Sequence, residues 1–167
     1  MTNVTAAALV AMALSFVVFA TAAAWYAAPR MRAAALGAAI TPLLWIHAFR
    51  HVALQLFSAQ AFGFAIPDLT RDEIVYGDLI GMALALATLY ALHYRSRVAI
   101  PLAWVFVVAT VIDLSNAAVM GIREDLFDKA ADLSWLILTF YVPALWVSVA
   151  LVAWRLWTKE SRSLTLR

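Results

Sequence analysis

Long apolar runs separated by short polar clusters organise this chain, and they fall at about 4–26, 34–61, 73–94, 98–121 and 133–157. Each is long enough to cross a hydrocarbon core of about 30 Å, which takes roughly 20 helical residues. Backbone groups in lipid must satisfy their own hydrogen bonds, so the pattern predicts a single all-α integral membrane domain over 1–167, a polytopic bundle of five transmembrane helices. Pro29, Pro67 and Pro101 stand at or near the ends of runs. Pro42 and Pro143 stand inside them, where the missing backbone donor predicts kinks. No internal repeat, soluble domain or low-complexity linker interrupts the series. The first run has no basic side chain ahead of it and exceeds the usual signal-peptide core, so it is expected to be retained as a span.

Composition sharpens this reading. The chain is 66% hydrophobic and 13% charged, against about 45–50% and about 25% in soluble domains. The small net charge of +2 comes from cations beside the ends of runs, not from a basic stripe, which argues against nucleic acid as a partner. Cysteine is absent, which excludes disulfides, thiolate metal sites and cysteine catalysis.

The cations also give an orientation, because Lys and Arg accumulate in short cytoplasmic loops. Arg30, Arg32, Arg95, Arg97, Arg155, Lys159, Arg162 and Arg167 fall on one side, and only Arg71, Arg123 and Lys129 on the other. The N-terminus is therefore expected outside and the C-terminus in the cytoplasm, in a cell membrane such as the bacterial inner membrane. Trp25, Tyr26, Tyr94, Trp154 and Trp157 fall near the cytoplasmic ends, where interfacial rings are favoured.

Once loop charges are set aside, Arg50, Asp78 and Asp113 remain at membrane depth, with His47, His51, Gln55, Asn116 and several hydroxyls. A charge at mid-helix costs about 2.5–3.5 kcal/mol on insertion scales, so these residues call for partners, either as a structural pairing of Arg50 with Asp78 or Asp113 that holds the helices together or as a functional polar cavity. At helical spacing His47, His51, Gln55 and Ser58 share one stripe, with Arg50 on its flank. Asp78, Gly81, Ala85 and Thr88 form a second stripe, and Thr110, Asp113, Asn116 and Ala117 a third. Ser134, Tyr141 and Ser148 recur every seven residues in the last run. The stripes converge in the outer half of the membrane, which predicts a polar cavity there. The first run lacks ionisable residues and reads as a lipid-facing support.

The chemistry of that cavity follows from the residues present. His47, Arg50, His51, Gln55, Asp78, Asp113, Asn116 and Tyr141 are the candidate ligand- or ion-binding residues. His47 and His51, four apart, with Asp78 and Asp113, form a candidate metal set, which Arg50 opposes. Haem is disfavoured, because two histidines on one helix face cannot take opposite axial positions. A retinal Schiff base is excluded, because Lys129 and Lys159 both lie outside the runs. No hydrolase, metalloprotease, phosphate-binding or dinucleotide signature is present. The expected function is binding or translocation of a small solute, ion or proton. The alternatives are a membrane enzyme using His/Asp acid-base or metal chemistry on a lipid-soluble substrate, and a helical subunit of a larger complex. The expected partners are the lipid bilayer, a small solute, ion or lipid-soluble ligand, and further subunits.

Overall fold

A computed structural model describes residues 2–165, with side chains described as far as Thr158. Lys159, Arg162 and Arg167, counted above among the cytoplasmic cations, lie outside the described side chains. All regular structure among the described residues is helical.

Four helices are long and apolar enough to cross a membrane: α1 (Asn3–Ala33), α4 (Asp68–His93), α5 (Ala99–Arg123) and α7 (Asp132–Thr158). The chain is therefore built as a multi-pass integral membrane protein. The run expected to form one further helix over 34–61 folds instead as three consecutive pieces. These are α2 (Leu36–Ala48), a 3-10 turn (Phe49–Leu54) and α3 (Gln55–Ala61). A short helix α6 (Leu126–Lys129) follows α5.

Proline placement explains two departures from regular winding. Pro29 has no N–H to give the carbonyl of Trp25, and Pro143 has none for that of Thr139. In each case the turn just upstream widens into a π turn, at Ala23–Ala27 in α1 and at Ile137–Tyr141 in α7. Pro29 thus sits inside a continuous helix, not at its end. Pro67 serves as the extended N-cap residue of α4.

Packing divides the bundle by depth. α4 lies against α5, α2 and the 3-10 turn, and α7 lies against α2, α5 and α1. Ile40, Leu44, Ala85, Ala103, Phe106, Val149, Val152 and Leu156 form an apolar core in the half nearest the turns at 34–35 and 94–98. Lipid is as apolar as these side chains, so dispersion contacts and close fit hold this half together. Arg155 fastens the same end by donating from Nε to the Met31 carbonyl at 2.9 Å and from Nη2 to that of Ala34 at 2.8 Å. A guanidinium at a helix C-terminus satisfies carbonyls that have no helical partner.

The opposite end is tied by polar loops. The Arg71 guanidinium bonds Asp68 at 3.0 Å and Asp72 at 2.7 Å, donates to Gln60, and lies 4.4 Å from the Phe57 ring centroid. Gln60 in turn donates to the Ile66 carbonyl at 2.9 Å, so the loop between α3 and α4 is pinned at both ends. Asp128 on α6 accepts from the hydroxyls of Thr2 and Thr5, which joins the start of α1 to the loop after α5.

Candidate functional site

The site begins with the winding of residues 49–54. An α-helix would keep His47 and His51 on one face, but a 3-10 turn advances about 120° per residue, so positions three apart eclipse. Arg50 is thereby brought beneath His47, and His51 is turned outward. Arg50 is fully buried at 0% exposure, while His51 is exposed and its Nδ1 lies 3.3 Å from the Ala48 carbonyl of its own turn. The stripe expected through His47, His51, Gln55 and Ser58 is therefore broken, and Arg50 becomes its centre.

Arg50 bridges two helices. Its Nε donates to Asp78 Oδ1 on α4 at 2.6 Å, and its Nη2 donates to Asp113 Oδ2 on α5. Two glycines make this approach possible. A Cβ on Gly81 would lie 2.7 Å from Arg50 Cζ, and one on Gly77 would lie 2.8 Å from Asp113 Cγ. Gly77 and Gly81, four apart on α4, form a notch into which the ion cluster fits, a small-residue arrangement that lets membrane helices approach closely. Arg50 Nη1 has no hydrogen-bond partner among the described residues.

Tyr141 completes the cluster's edge by donating its hydroxyl to the Ile46 carbonyl at 2.7 Å. The π turn ending at Tyr141 sets this side chain against α2, where the passage into 3-10 winding leaves the Ile46 carbonyl open to a second donor. His47 lies one layer deeper. His47 Nε2 lies 2.9 Å from the Ser148 hydroxyl, which is itself 3.0 Å from the Leu145 carbonyl. His47 also meets Phe106 edge to face with centroids 4.9 Å apart.

Above the cluster lies a cavity of about 350 Å³, within the range of small-ligand sites. Arg50, Asp78, Asp113, Gln55 and Tyr141 supply its polar end, and Gln55 Nε2 is buried there without a partner. Its walls are apolar: Leu9, Met12 and Phe16 from α1, Phe64 from one loop, Leu126 and Phe127 from α6, and Trp146 from α7. The side chains of Asp78 and Asp113 keep 19% and 20% exposure beside a fully buried arginine, so the carboxylates face the open space.

The structure thus gathers Arg50, Asp78, Asp113, Gln55 and Tyr141, leaves His47 with Ser148 outside the cavity lining, and separates His51 and Asn116. Asn116 is exposed, with Nδ2 3.8 Å from Met120 Sδ on its own helix. The candidate metal set does not converge, because His47 is committed to Ser148 and His51 faces outward. No group of three or more His, Asp or Glu positioned to hold a metal ion occurs among the described residues. α1, read from sequence as a support only, is the least buried of the four long helices yet gives the cavity one wall. Gly77 and the loop aromatics were not expected at the site. The Gly77-x-x-x-Gly81 spacing was the available signal for the first, whereas nothing in the loops marked the second.

No curated protein and no solved structure matches this sequence. Residues 7–157 match the family described as a domain of unknown function, DUF8737, and the chain belongs to that family.

Proposed function

We propose that the protein binds a small lipid-soluble molecule within the membrane, with the ligand's apolar body between α1, α6 and α7 and its polar head at the Asp78–Arg50–Asp113 cluster. The observation that carries this reading is the shape of the polarity: a cavity of about 350 Å³ with hydrocarbon walls ends on two partly exposed carboxylates. A structural ion pair alone would be packed dry, since uncompensated charge next to apolar space costs several kcal/mol. Binding sites of this kind place a few polar groups at one end of an apolar pocket to orient the ligand.

The segment Leu36–Ala61 completes a fifth crossing. Its pieces of 13, 6 and 7 residues reach about 40 Å when coaxial, more than a hydrocarbon core of about 30 Å requires. With five crossings the positive-inside bias places the N-terminus outside and the C-terminus in the cytoplasm of a cell membrane. The cavity then lies in the outer leaflet, walled in part by the external loops. A lipid-soluble ligand reaches it from the bilayer or from the external side.

Native mass spectrometry of the protein released from mild detergent tests the reading. A small-molecule adduct near one per chain, recoverable in organic solvent, is expected. Chains that carry nothing, and take up no lipophile when challenged, would overturn it.

A further inference from the structure

We infer that the ligand is a lipophilic cation, and that its binding expels one proton from the Asp78–Arg50–Asp113 cluster. The inference rests on the binding function proposed above and adds the ligand's charge to it.

One guanidinium faces two carboxylates, so with all three groups ionised the cluster carries one uncompensated negative charge. Beside apolar walls that charge is costly, and it is neutralised either by a proton on one carboxylate or by a positive group of the ligand. Among the described residues no neighbouring side chain supplies the missing charge. His47, from α2, is buried with its Nε2 engaged at 2.9 Å by the Ser148 hydroxyl on α7, and it does not line the cavity. Tyr141, from α7, gives its hydroxyl to the Ile46 carbonyl. α4 and α5 bring only Asp78 and Asp113 themselves, and α1 brings Leu9, Met12 and Phe16. Phe16, Phe127 and Trp146 also line the cavity, and aromatic rings are favourable neighbours for a cation.

The exchange balances without any other reactant. A protonated carboxyl and an incoming cation give a carboxylate–cation pair, and the proton leaves to water. No bond to the ligand forms, and nothing is oxidised or reduced.

Methyltriphenylphosphonium is a suitable probe, because it is a permanent cation with apolar rings and no proton of its own to release. Purified protein in weakly buffered detergent is titrated with it while bound cation and released protons are both counted. One proton per bound cation is expected at acidic pH, and Kd should fall about tenfold per pH unit over that range, as linkage to a single proton requires. Asp113→Asn leaves one carboxylate to one guanidinium, so it should elute as a monodisperse protein yet bind the cation at least about tenfold more weakly. Should that variant fail to fold, the wild-type proton count decides the matter. Cation binding with no proton release and no pH dependence overturns the inference. Binding of neutral triphenylphosphine oxide without binding of the cation also overturns it, while leaving the cavity function standing. Binding of neither probe overturns both.

Discussion

Arg50 decides the site at the scale of single residues. It is the largest fully buried side chain, and its bonds to Asp78 and Asp113 join three elements that have few other polar contacts. Arg50→Met would strand two carboxylates in an apolar setting, for which a loss of about 3–5 kcal/mol is expected. Thermal unfolding in detergent measures it, and a midpoint equal to wild type would show that the cluster does not hold the helices. The glycine notch gives a second expectation. Gly81→Ala places a methyl group 2.7 Å from Arg50 Cζ and should cost about 1–3 kcal/mol, whereas a helical glycine without such a neighbour would gain stability from alanine. The costly residues were legible in sequence because charge at membrane depth needs a partner. The pairing of Arg50 with Asp78 or Asp113 was legible for the same reason. That Arg50 takes both carboxylates while His51 leaves the inward face was not, because helical periodicity put His51 on that face and only the 3-10 turn gives it to Arg50.

At the scale of elements, local winding sets which side chains face inward. Pro143 widens the turn before it, and that π turn carries Tyr141 to the Ile46 carbonyl. Pro143→Ala restores the backbone donor and lets the turn revert to α winding. The Tyr141 hydroxyl should then lose the Ile46 carbonyl, seen as altered hydrogen bonding of the Tyr141 phenol by isotope-edited infrared spectroscopy; an unchanged phenol band would show that the proline does not set this contact. Prolines were readable as places of disturbance, but whether a proline kinks a helix, widens a turn or caps an end depends on its neighbours. The loop helix α6 gives a prediction in pH. The Thr2 and Thr5 hydroxyls hold the Asp128 carboxyl below the usual carboxylate value. With the folded pKa depressed, the latch contributes above the unfolded value of about 3.9 and is lost as pH falls through the lower folded value. Hydrogen exchange in 3–8 and 124–130, corrected for the intrinsic rate, should therefore rise below about pH 4. Asp128→Asn should exchange rapidly at every pH, and equal protection of wild type at pH 3 and pH 6 would show the latch to be inert.

At the scale of the whole molecule, the apolar core and the cavity beside the ion cluster occupy opposite halves of the bundle. The apolar core around Leu44, Phe106 and Val152 packs the half fastened by Arg155, while the cavity occupies the half tied by Arg71 and Asp128. Run length was enough to read an all-helical, multi-pass membrane protein, since it depends on spacing alone. The broken segment at 36–61 escaped it, because hydropathy does not distinguish one helix from three consecutive helical pieces. Gly121 offers the most direct handle on the cavity. It lines the space, is buried, and a Cβ there meets nothing within 4 Å, so a side chain at this position starts out in open space. Gly121→Leu should fold as well as wild type, helped by about 0.8–1.0 kcal/mol of helix propensity. Ligand occupancy per chain, measured by native mass spectrometry on wild type and Gly121→Leu prepared side by side, is the decisive comparison. Binding within the cavity predicts near-stoichiometric ligand on wild type and none on the variant. Equal occupancy on two equally folded proteins would contradict it.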